Sequence, residues 1–286
     1  QMPSVREIRR RIKSVQNTAK ITKAMSMIAA SKLRRAQEMA LNARPYSERL
    51  FELLKNVSED YQDDDTLYHP LLERRPEKNF TLIHLSPDRG LTGGLNSNTD
   101  RSALNFISEK NIESQIICIG KKGTNFISRS GLNLHASFTG ISDAPPSSSI
   151  YPITNMIISD YTNHKTDAVY ISYATFKSTT VQKPIVEQLI PFTLKATDQT
   201  QTEHIYEPTK DIILNTLLPR YIETQIYHAL LEAIASEQSA RMVAMQNATD
   251  NANDMVDDLT LIMNKARQET ITTELLDIIS GAAAVE

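Results

Sequence analysis

Two long stretches without glycine or proline constrain this 286-residue chain more than any other feature. Ser4–Arg44 and Arg220–Ser280 contain neither residue type, whereas seven of the eight glycines lie between residues 90 and 140. As helices, the two stretches would span roughly 60 Å and roughly 90 Å at the usual rise per residue. A compact globule of this chain length has a radius of gyration of only about 19 Å. The sequence therefore predicts two long helices around a separate, glycine-containing domain.

The first stretch carries a heptad pattern that predicts a coiled coil. Alternate steps of three and four residues meet only apolar or small, uncharged side chains: Val5, Ile8, Ile12, Val15, Ala19, Thr22, Ser26, Ala29, Leu33, Ala36, Ala40 and Ala43. Ser4, with Glu7 three residues on, predicts a capping box at the start of the helix. Pro45 predicts a kink or boundary. The pattern resumes over Glu48–Val57, and a polar loop is expected over Ser58–Asp65.

The last stretch predicts a second long helix, which begins with Asp211–Leu218 and continues past Pro219. One face of this helix carries Ile222, Ile226, Ala229, Ala233, Ala240, Ala244, Ala248 and Ala252, followed by Met255, Leu259, Ile262 and Ala266. The early spacing of four residues departs from a strict heptad and indicates a local change in supercoil. Gly281 is expected to end the helix.

Charge is distributed unevenly between the two ends of the chain. Residues 1–49 carry a net charge of +9, and residues 250–286 carry a net charge of −6. A basic segment indicates nucleic acid, an acidic membrane surface or an acidic protein as partner. An acidic segment on the same chain favours pairing of the two ends with each other. No apolar run approaches the roughly 20 residues that a bilayer-crossing helix needs.

The middle of the chain alternates predicted strands with predicted helices, which is typical of an α/β domain. The strands are expected at Phe80–Ser86, Gln115–Ile119, Ala168–Phe176 and Val186–Phe192, and the helices at Asp100–Lys110 and Ile150–His164. We therefore predict three segments. They are an N-terminal coiled-coil helix at 1–57, an α/β domain at 76–195 and a C-terminal coiled-coil helix at 209–286.

The loop Asp88–Asn98, DRGLTGGLNSN, lies between a predicted strand and a predicted helix, where phosphate-binding loops occur. It lacks the lysine of a P-loop after Gly94, and it also lacks the Rossmann glycine spacing. We interpret it as a tight turn that needs positive φ. The six histidines form no metal or triad pattern, and Cys118 is expected in the core. Arg241 has two open interpretations, a specific buried or inter-subunit pair and an exposed outer position.

Three segments resemble those of one known family. Ile12–Arg35, IKSVQNTAKITKAMSMIAASKLRR, resembles the N-terminal signature of the gamma subunit of the rotary F-type ATP synthases. Ser236–Asp250 and Asn264–Val285 resemble its C-terminal signature, and DRGLTGGLNSN resembles its middle-domain loop. The resemblance implies an antiparallel coiled coil of the terminal helices with an inserted Rossmann-like α/β domain. It also implies a non-catalytic central shaft, without a cofactor, that couples proton-driven rotation to ATP synthesis and hydrolysis.

The resemblance also implies partners and contact residues. The partners are the alpha and beta subunits of the catalytic ring, the epsilon subunit and the membrane c-ring, and the chain meets the membrane only through them. The implied coupling residues are Met25, Arg241, Arg267, Gln268, Thr272 and Glu274. Arg267 and Gln268 are expected to touch a beta-subunit loop, and Tyr206 and Glu207 the rotor ring. Because Cys118 is the only cysteine, the regulatory pair of chloroplast members cannot form. We therefore expect a bacterial protein on the cytoplasmic side of the inner membrane.

Two other functions are compatible with parts of the sequence. The basic N-terminal segment suggests a coiled coil that binds nucleic acid, although that segment contains no aromatic residue before Pro45 to stack on bases. The glycine loop suggests a nucleotide-dependent α/β enzyme. The expected shaft binds neither nucleic acid nor nucleotide.

Overall fold

A computed structural model describes residues 4–62, 69–192 and 210–283. Its contacts divide the chain into two compact units. The terminal unit comprises residues 1–29 and 241–286, and the central unit comprises residues 30–240. Two long helices contribute residues to both units: α1, Val5–Gln62, and α5, Lys210–Ala283. Within the described ranges, no helix combines the length and the hydropathy that crossing a bilayer requires.

In the terminal unit, α1 and α5 form an antiparallel pair. The hydroxyl oxygens of Thr22 and Thr249 lie 2.7 Å apart, and the Ser26 hydroxyl donates to the main-chain oxygen of Met242 over 3.1 Å. As the residue number rises along α1, the number of its partner on α5 falls. The two helices are therefore antiparallel, as predicted. None of the twelve predicted heptad positions of α1 is exposed. The spacing of apolar and small residues therefore identified the buried face of this helix correctly.

The predicted capping box is present at the start of α1. The Ser4 hydroxyl accepts a hydrogen bond from the Glu7 N–H over 3.3 Å, and the Glu7 carboxylate accepts from the Ser4 N–H over 3.0 Å. These reciprocal bonds satisfy main-chain donors that the first helical turn leaves without partners.

The two threonines that face each other share a limited number of protons. Thr22 Oγ1 lies 3.1 Å from the Ala19 carbonyl oxygen, and Thr249 Oγ1 lies 2.8 Å from that of Met245. Each hydroxyl has one proton. One threonine therefore donates to the other, and the second donates to its own helix. Both side chains are buried, so this pair is satisfied only when the two helices keep their register.

The central unit contains a five-stranded sheet in the order β3-β2-β1-β4-β5. The first four strands are parallel, and β5 pairs antiparallel with β4 at one edge. The strands are β1 Asn79–Leu85, β2 Glu113–Ile119, β3 Leu134–Phe138, β4 Val169–Phe176 and β5 Gln182–Ile190. The connecting helices are α2 Leu95–Lys110, α3 Lys121–Arg129 and α4 Tyr151–Thr162, and 3₁₀ turns lie at Pro70–Leu72 and Ser147–Ile150.

Both faces of the sheet are covered, which is what parallel strands require. One face packs with α2 and α3 in a core cluster of Phe80, Leu82, Ala103, Ile116, Cys118, Ile127, Ala168 and Tyr170. Strand side chains alternate, so the buried Ile83, Ile117 and Ile171 point to the other face. Right-handed crossovers place α2 and α3 on one face and α4 on the other, because the chain reverses direction across the sheet after β3. The predicted α/β class is therefore confirmed.

Helix α1 is longer than the sequence indicated. Of the kink and the boundary predicted at Pro45, the boundary is wrong, because Pro45 lies inside the helix. The loop predicted to begin at Ser58 is also wrong as far as Gln62, where α1 ends. Arg44, Pro45 and Tyr46 are all exposed. Water can therefore reach the carbonyl that proline leaves without a donor. Residues 63–65 of the predicted loop lie outside the described residues.

After Ala252, two of the four predicted inward positions of α5 are wrong, because Met255 and Ile262 are 48% and 50% exposed. Leu259 and Ala266 are turned inward, as predicted. Val256 and Met263 take the other two positions, and all four lie at heptad steps from the buried Ala252. Hydropathy alone cannot choose between adjacent apolar positions, and the preceding steps of four had already shifted the pattern. The helix also passes Gly281 and ends at Ala283.

The strands at β1, β2 and β4 and the helix α4 lie within two residues of their predicted positions. Helix α2 begins five residues earlier than predicted, and β5 begins four residues earlier. Helix α3 and strand β3 were not predicted. Glycine is a poor helix former, and close packing explains its presence at position 123 within α3. A Cβ there would lie 2.7 Å from His84 Cδ2 and 2.6 Å from Ser86 Oγ.

Gly123→Ala is expected to destabilise the central unit. In a helix, replacing glycine with alanine normally stabilises the protein by about 1 kcal/mol. Here the added methyl group meets the buried His84 ring, and overpacking costs about 1–3 kcal/mol. Thermal unfolding should therefore give a lower Tm than for the wild type. Gly94→Ala is the control, because among the described residues its Cβ would approach Asn98 alone, at an ordinary contact distance of 3.5 Å. A Tm raised by Gly123→Ala would show that helix α3 is not closely packed against strand β1 at this position.

The threonine pair predicts a non-additive double-mutant cycle. Thr22→Val and Thr249→Val should each lower the free energy of unfolding by about 1 kcal/mol, because each leaves a buried hydroxyl without its cross-helix partner. The double variant replaces both polar groups with apolar ones of similar shape and should lose less than the sum. Denaturant unfolding of all four proteins measures the coupling. Strict additivity would contradict a direct bond between these residues.

Candidate functional site

The carboxyl ends of the parallel strands are where a doubly wound sheet binds ligands, at the point where strand order reverses. In this chain that point lies between β1 and β4. A small crevice of about 40 Å³ remains there, closed on one side by α5 through Leu230, Ala233, Ile234 and Glu237. On the other side lie Leu85, Leu95, Thr99 and Ala174. Helix α5 thus occupies the place that a nucleotide would take in a nucleotide-binding relative of this fold.

The glycine loop after β1 is a tight turn, as predicted. Leu91 and Gly93 have φ angles of 65° and 55°. The carboxylate of Asp88 accepts hydrogen bonds from the N–H groups of Lys121 and Gly140, over 2.9 and 2.8 Å. Asp88 therefore connects three loops at the carboxyl edge of the sheet. Leu91 is 59% exposed in spite of its positive φ, so the turn presents an apolar side chain outward.

The sheet contains a buried polar group that the sequence did not reveal. His84 Nε2 lies 2.9 Å from Asp100 Oδ1, and Ser172 is the neighbour of His84 in register on β4. Sequence spacing could not indicate this group, because the parallel register alone brings residues 84 and 172 together. Both His84 and Ser172 are completely buried, so no substrate reaches them. Burial also raises the pKa of the neighbouring Cys118 thiol to about 12, so this predicted core cysteine stays protonated.

Two of the predicted coupling residues lie on the paired part of the terminal unit. Met25 is half-buried, next to Ser26, whose hydroxyl contacts the main chain of α5. Arg241 is also half-buried, on the segment of α5 that leads to this contact. Its partial burial lies between the two interpretations that the sequence left open.

The other predicted coupling residues lie on the exposed end of α5. Arg267, Gln268, Thr272 and Glu274 are exposed, and the Thr272 hydroxyl donates to the Gln268 carbonyl within the helix. Glu274 also lines a groove formed with the start of α1, beside Ser4 and Val5. The predicted rotor-ring residues Tyr206 and Glu207 lie outside the described residues.

The last described turns of α5 expose a run of large apolar side chains. Residues 271–280 are all exposed, and the run includes Ile271, Leu275, Leu276, Ile278 and Ile279. The groove beside the start of α1 extends along α5 as far as Glu274, so residues 275–280 of α5 continue past the start of its helical partner. Contiguous exposed apolar surface on a helix is typical of an interface with another chain. In the part of the chain that the structure describes, no group of His, Cys, Asp or Glu is arranged to hold a metal ion.

Comparison with known proteins gives the same family over the whole chain. A family model described as ATP synthase matches residues 4–285. The ATP synthase gamma chain of Dehalococcoides mccartyi is 49% identical over 285 residues, which cover 99% of this chain and 100% of that relative. The gamma chain of Herpetosiphon aurantiacus is 46% identical over 294 residues, which cover 99% of each chain.

Solved structures share the fold at low sequence identity. A chain of the Euglena gracilis mitochondrial ATP synthase (OSCP/F1/c-ring, rotational state 3) matches with a TM-score of 0.68 and 18% identity. The match covers 98% of this chain and 94% of that chain. A chain of the central stalk and c-ring of the Tetrahymena thermophila mitochondrial ATP synthase matches with a TM-score of 0.62 and 24% identity. The match covers 80% of this chain and 99% of that chain. Together with the family model and the bacterial relatives, this agreement shows that the chain belongs to the gamma-chain family of the F-type ATP synthases.

Proposed function

We propose that this chain is the central shaft of a bacterial F-type ATP synthase and couples proton-driven rotation to ATP synthesis and hydrolysis in an alpha/beta ring. The observation that carries this proposal is the end of α5. Its residues 271–280 are helical and exposed, and they carry large apolar side chains. An extended apolar helix end suits insertion into a surrounding assembly of subunits. The family relationship supports the same function.

The proposed shaft performs no covalent chemistry. The crevice at the carboxyl ends of the sheet is closed by α5, and the polar group around His84 is buried. A rotating shaft acts instead through contacts that differ with its angle. Each angle favours a different conformation of the catalytic subunit it faces, so rotation changes the free energies of the catalytic sites in turn. Each charge that moves through 100 mV supplies about 2.3 kcal/mol for this work.

The proposed coupling residues divide between two regions. Arg267 and Gln268 contact a beta-subunit loop through their exposed side chains, with Thr272 and Glu274 nearby on the same helix. Met25 and Arg241 act where the two helices pair. Tyr206 and Glu207 meet the c-ring, and the α/β domain meets the epsilon subunit. The chain is held at the cytoplasmic side of the inner membrane through these partners.

The proposal predicts which proteins accompany the chain in native extracts. A tagged copy isolated under gentle conditions should bring down the alpha and beta subunits and the c-ring. Quantitative mass spectrometry of the isolated complex measures this association. Recovery of the chain without an alpha/beta ring would contradict the proposal, and recovery with nucleic acid in a salt-sensitive complex would favour the nucleic-acid-binding alternative.

Met25→Lys is expected to impair coupling more than assembly. The substitution places an ammonium group at a half-buried position beside the Ser26–Met242 contact, so it changes how the helices and their neighbours pack. Membranes with the variant should hydrolyse ATP and contain normal amounts of complex, but pump fewer protons per ATP. The matched control is Met27→Lys, because Met27 is 62% exposed on the same helix. Equal losses of pumping and of assembled complex would contradict a coupling role for Met25.

A further inference from the structure

Three polar side chains on one stripe of α5 contact a single segment of the α/β domain. Glu232, Ser236 and Ser239 are spaced by four and three residues, so they lie on one face of the helix. The Glu232 carboxylate accepts a hydrogen bond from the Thr175 hydroxyl. The Ser236 hydroxyl donates to the Ala174 carbonyl over 2.8 Å, and the Ser239 hydroxyl donates to the Thr179 carbonyl over 2.8 Å. Ser239 Oγ also accepts from the side-chain amide of Gln182 over 3.4 Å, so the partners in the domain lie between residues 174 and 182.

The Ala174 carbonyl is available to Ser236 for a reason that the sheet register explains. Main-chain groups of alternate strand residues face the same neighbour, and the Ala168 carbonyl accepts from the Thr81 N–H of β1, so the Ala174 carbonyl also faces the β1 side. The pairing of β1 with β4 ends at His84 and Ser172, so β1 offers no partner at Ala174. The carbonyl accepts from α5 instead, and Ser236 and Ser239 are both completely buried. Hydrogen bonds have narrow limits of distance and angle, so these bonds form at only one rotation of α5 about its axis and one position along that axis. Contacts between apolar side chains are less directional.

A second contact holds the same part of α5 from the loop that follows β3. Asp143 accepts from the side-chain amide of Gln238 over 3.1 Å. Its other oxygen accepts from Lys32 of α1 over 2.6 Å. One carboxylate therefore connects the loop to both long helices of the central unit. Gln238 is 1% exposed, whereas the Asp143 side chain is 44% exposed, so the bond joins a buried amide to a carboxylate at the surface.

We propose that Glu232, Ser236, Gln238 and Ser239 form a locked joint that holds the α/β domain at one angle on α5, so that torque passes between them without slip. This inference rests on the shaft function proposed above. The four side chains are positioning residues, because they fix an angle rather than contact a nucleotide or an ion. Ordinary core packing would require burial of this stripe. The joint requires in addition that loss of its hydrogen bonds uncouples rotation from ion transport.

The first test removes two hydroxyl donors. The double substitution Ser236→Ala and Ser239→Ala is made in the complete reconstituted complex, and Thr216→Ala is the control. Thr216 is exposed on the same helix, and its hydroxyl donates to the Ile212 carbonyl of its own helix. Each hydrogen bond removed lowers the ratio of closed to open joint about fivefold. We expect protons pumped per ATP hydrolysed to fall while ATP hydrolysis continues, and Thr216→Ala to pump as the wild type does.

The second test restores the joint covalently. Thr175→Cys and Glu232→Cys place two thiols where the native side chains touch, and a short bifunctional thiol reagent joins them. Cys118 is completely buried and protonated, so it does not compete for the reagent. In the complex with otherwise native residues, the cross-link should leave turnover and pumping unchanged. In the Ser236→Ala, Ser239→Ala background, it should return pumping per ATP to the wild-type value.

The outcomes distinguish this inference from the function on which it rests. A wild-type complex that does not couple hydrolysis to pumping would refute the shaft function itself. A coupled wild-type complex whose double variant also pumps normally would overturn the joint alone. A cross-link that stops turnover would overturn it as well, because it would show that the domain must move on α5. Loss of assembly in the double variant leaves the cross-link in native residues as the deciding measurement.

Discussion

The structure depends above all on the packing of helix α5 within the central unit. From residue 221 to residue 240 this helix has no exposed residue. It is therefore a core element of an α/β domain over this segment, and a member of a two-helix pair over the segment that follows. The same helix contributes Ser236 to a bond with the sheet and Thr249 to a bond with α1. A chain built this way cannot lose α5 from either unit without exposing buried polar and apolar groups.

Helix α5 also closes the crevice at which a sheet of this topology binds nucleotides in other proteins. The strand order reverses between β1 and β4, and the loop after β1 turns tightly into α2. A free crevice at that point would suit a phosphate. Here Leu230 and Ile234 close the crevice, and the carboxylate of Asp88 is committed to the N–H groups of Lys121 and Gly140. The residues at the carboxyl ends of β1 and β4 therefore pack against helix α5.

Predictions from the sequence were most accurate where only one face of a helix lacked charged residues. The heptad face of α1 was predicted without error from Val5 to Ala43, because every alternative face of that helix is charged. The face of α5 was predicted less well, because Met255, Val256, Leu261 and Ile262 offer two apolar choices. Helix α3 was missed because Gly123 weakens the helical pattern. A glycine is needed there because a Cβ would collide with His84, which is distant in the sequence. The His84–Asp100 contact and the joint on α5 depend on strand register and helix docking, which no local pattern encodes.

Rotation of the central unit inside an assembled ring tests the account most directly. A probe attached to an exposed cysteine introduced in the α/β domain can be followed by single-molecule microscopy, because the buried Cys118 does not take the label. With the ring immobilised and ATP added, we predict discrete, unidirectional rotation of the probe that stops when hydrolysis is inhibited. A stationary probe on a ring that hydrolyses ATP at its full rate would contradict the central claim that this chain is the rotating shaft.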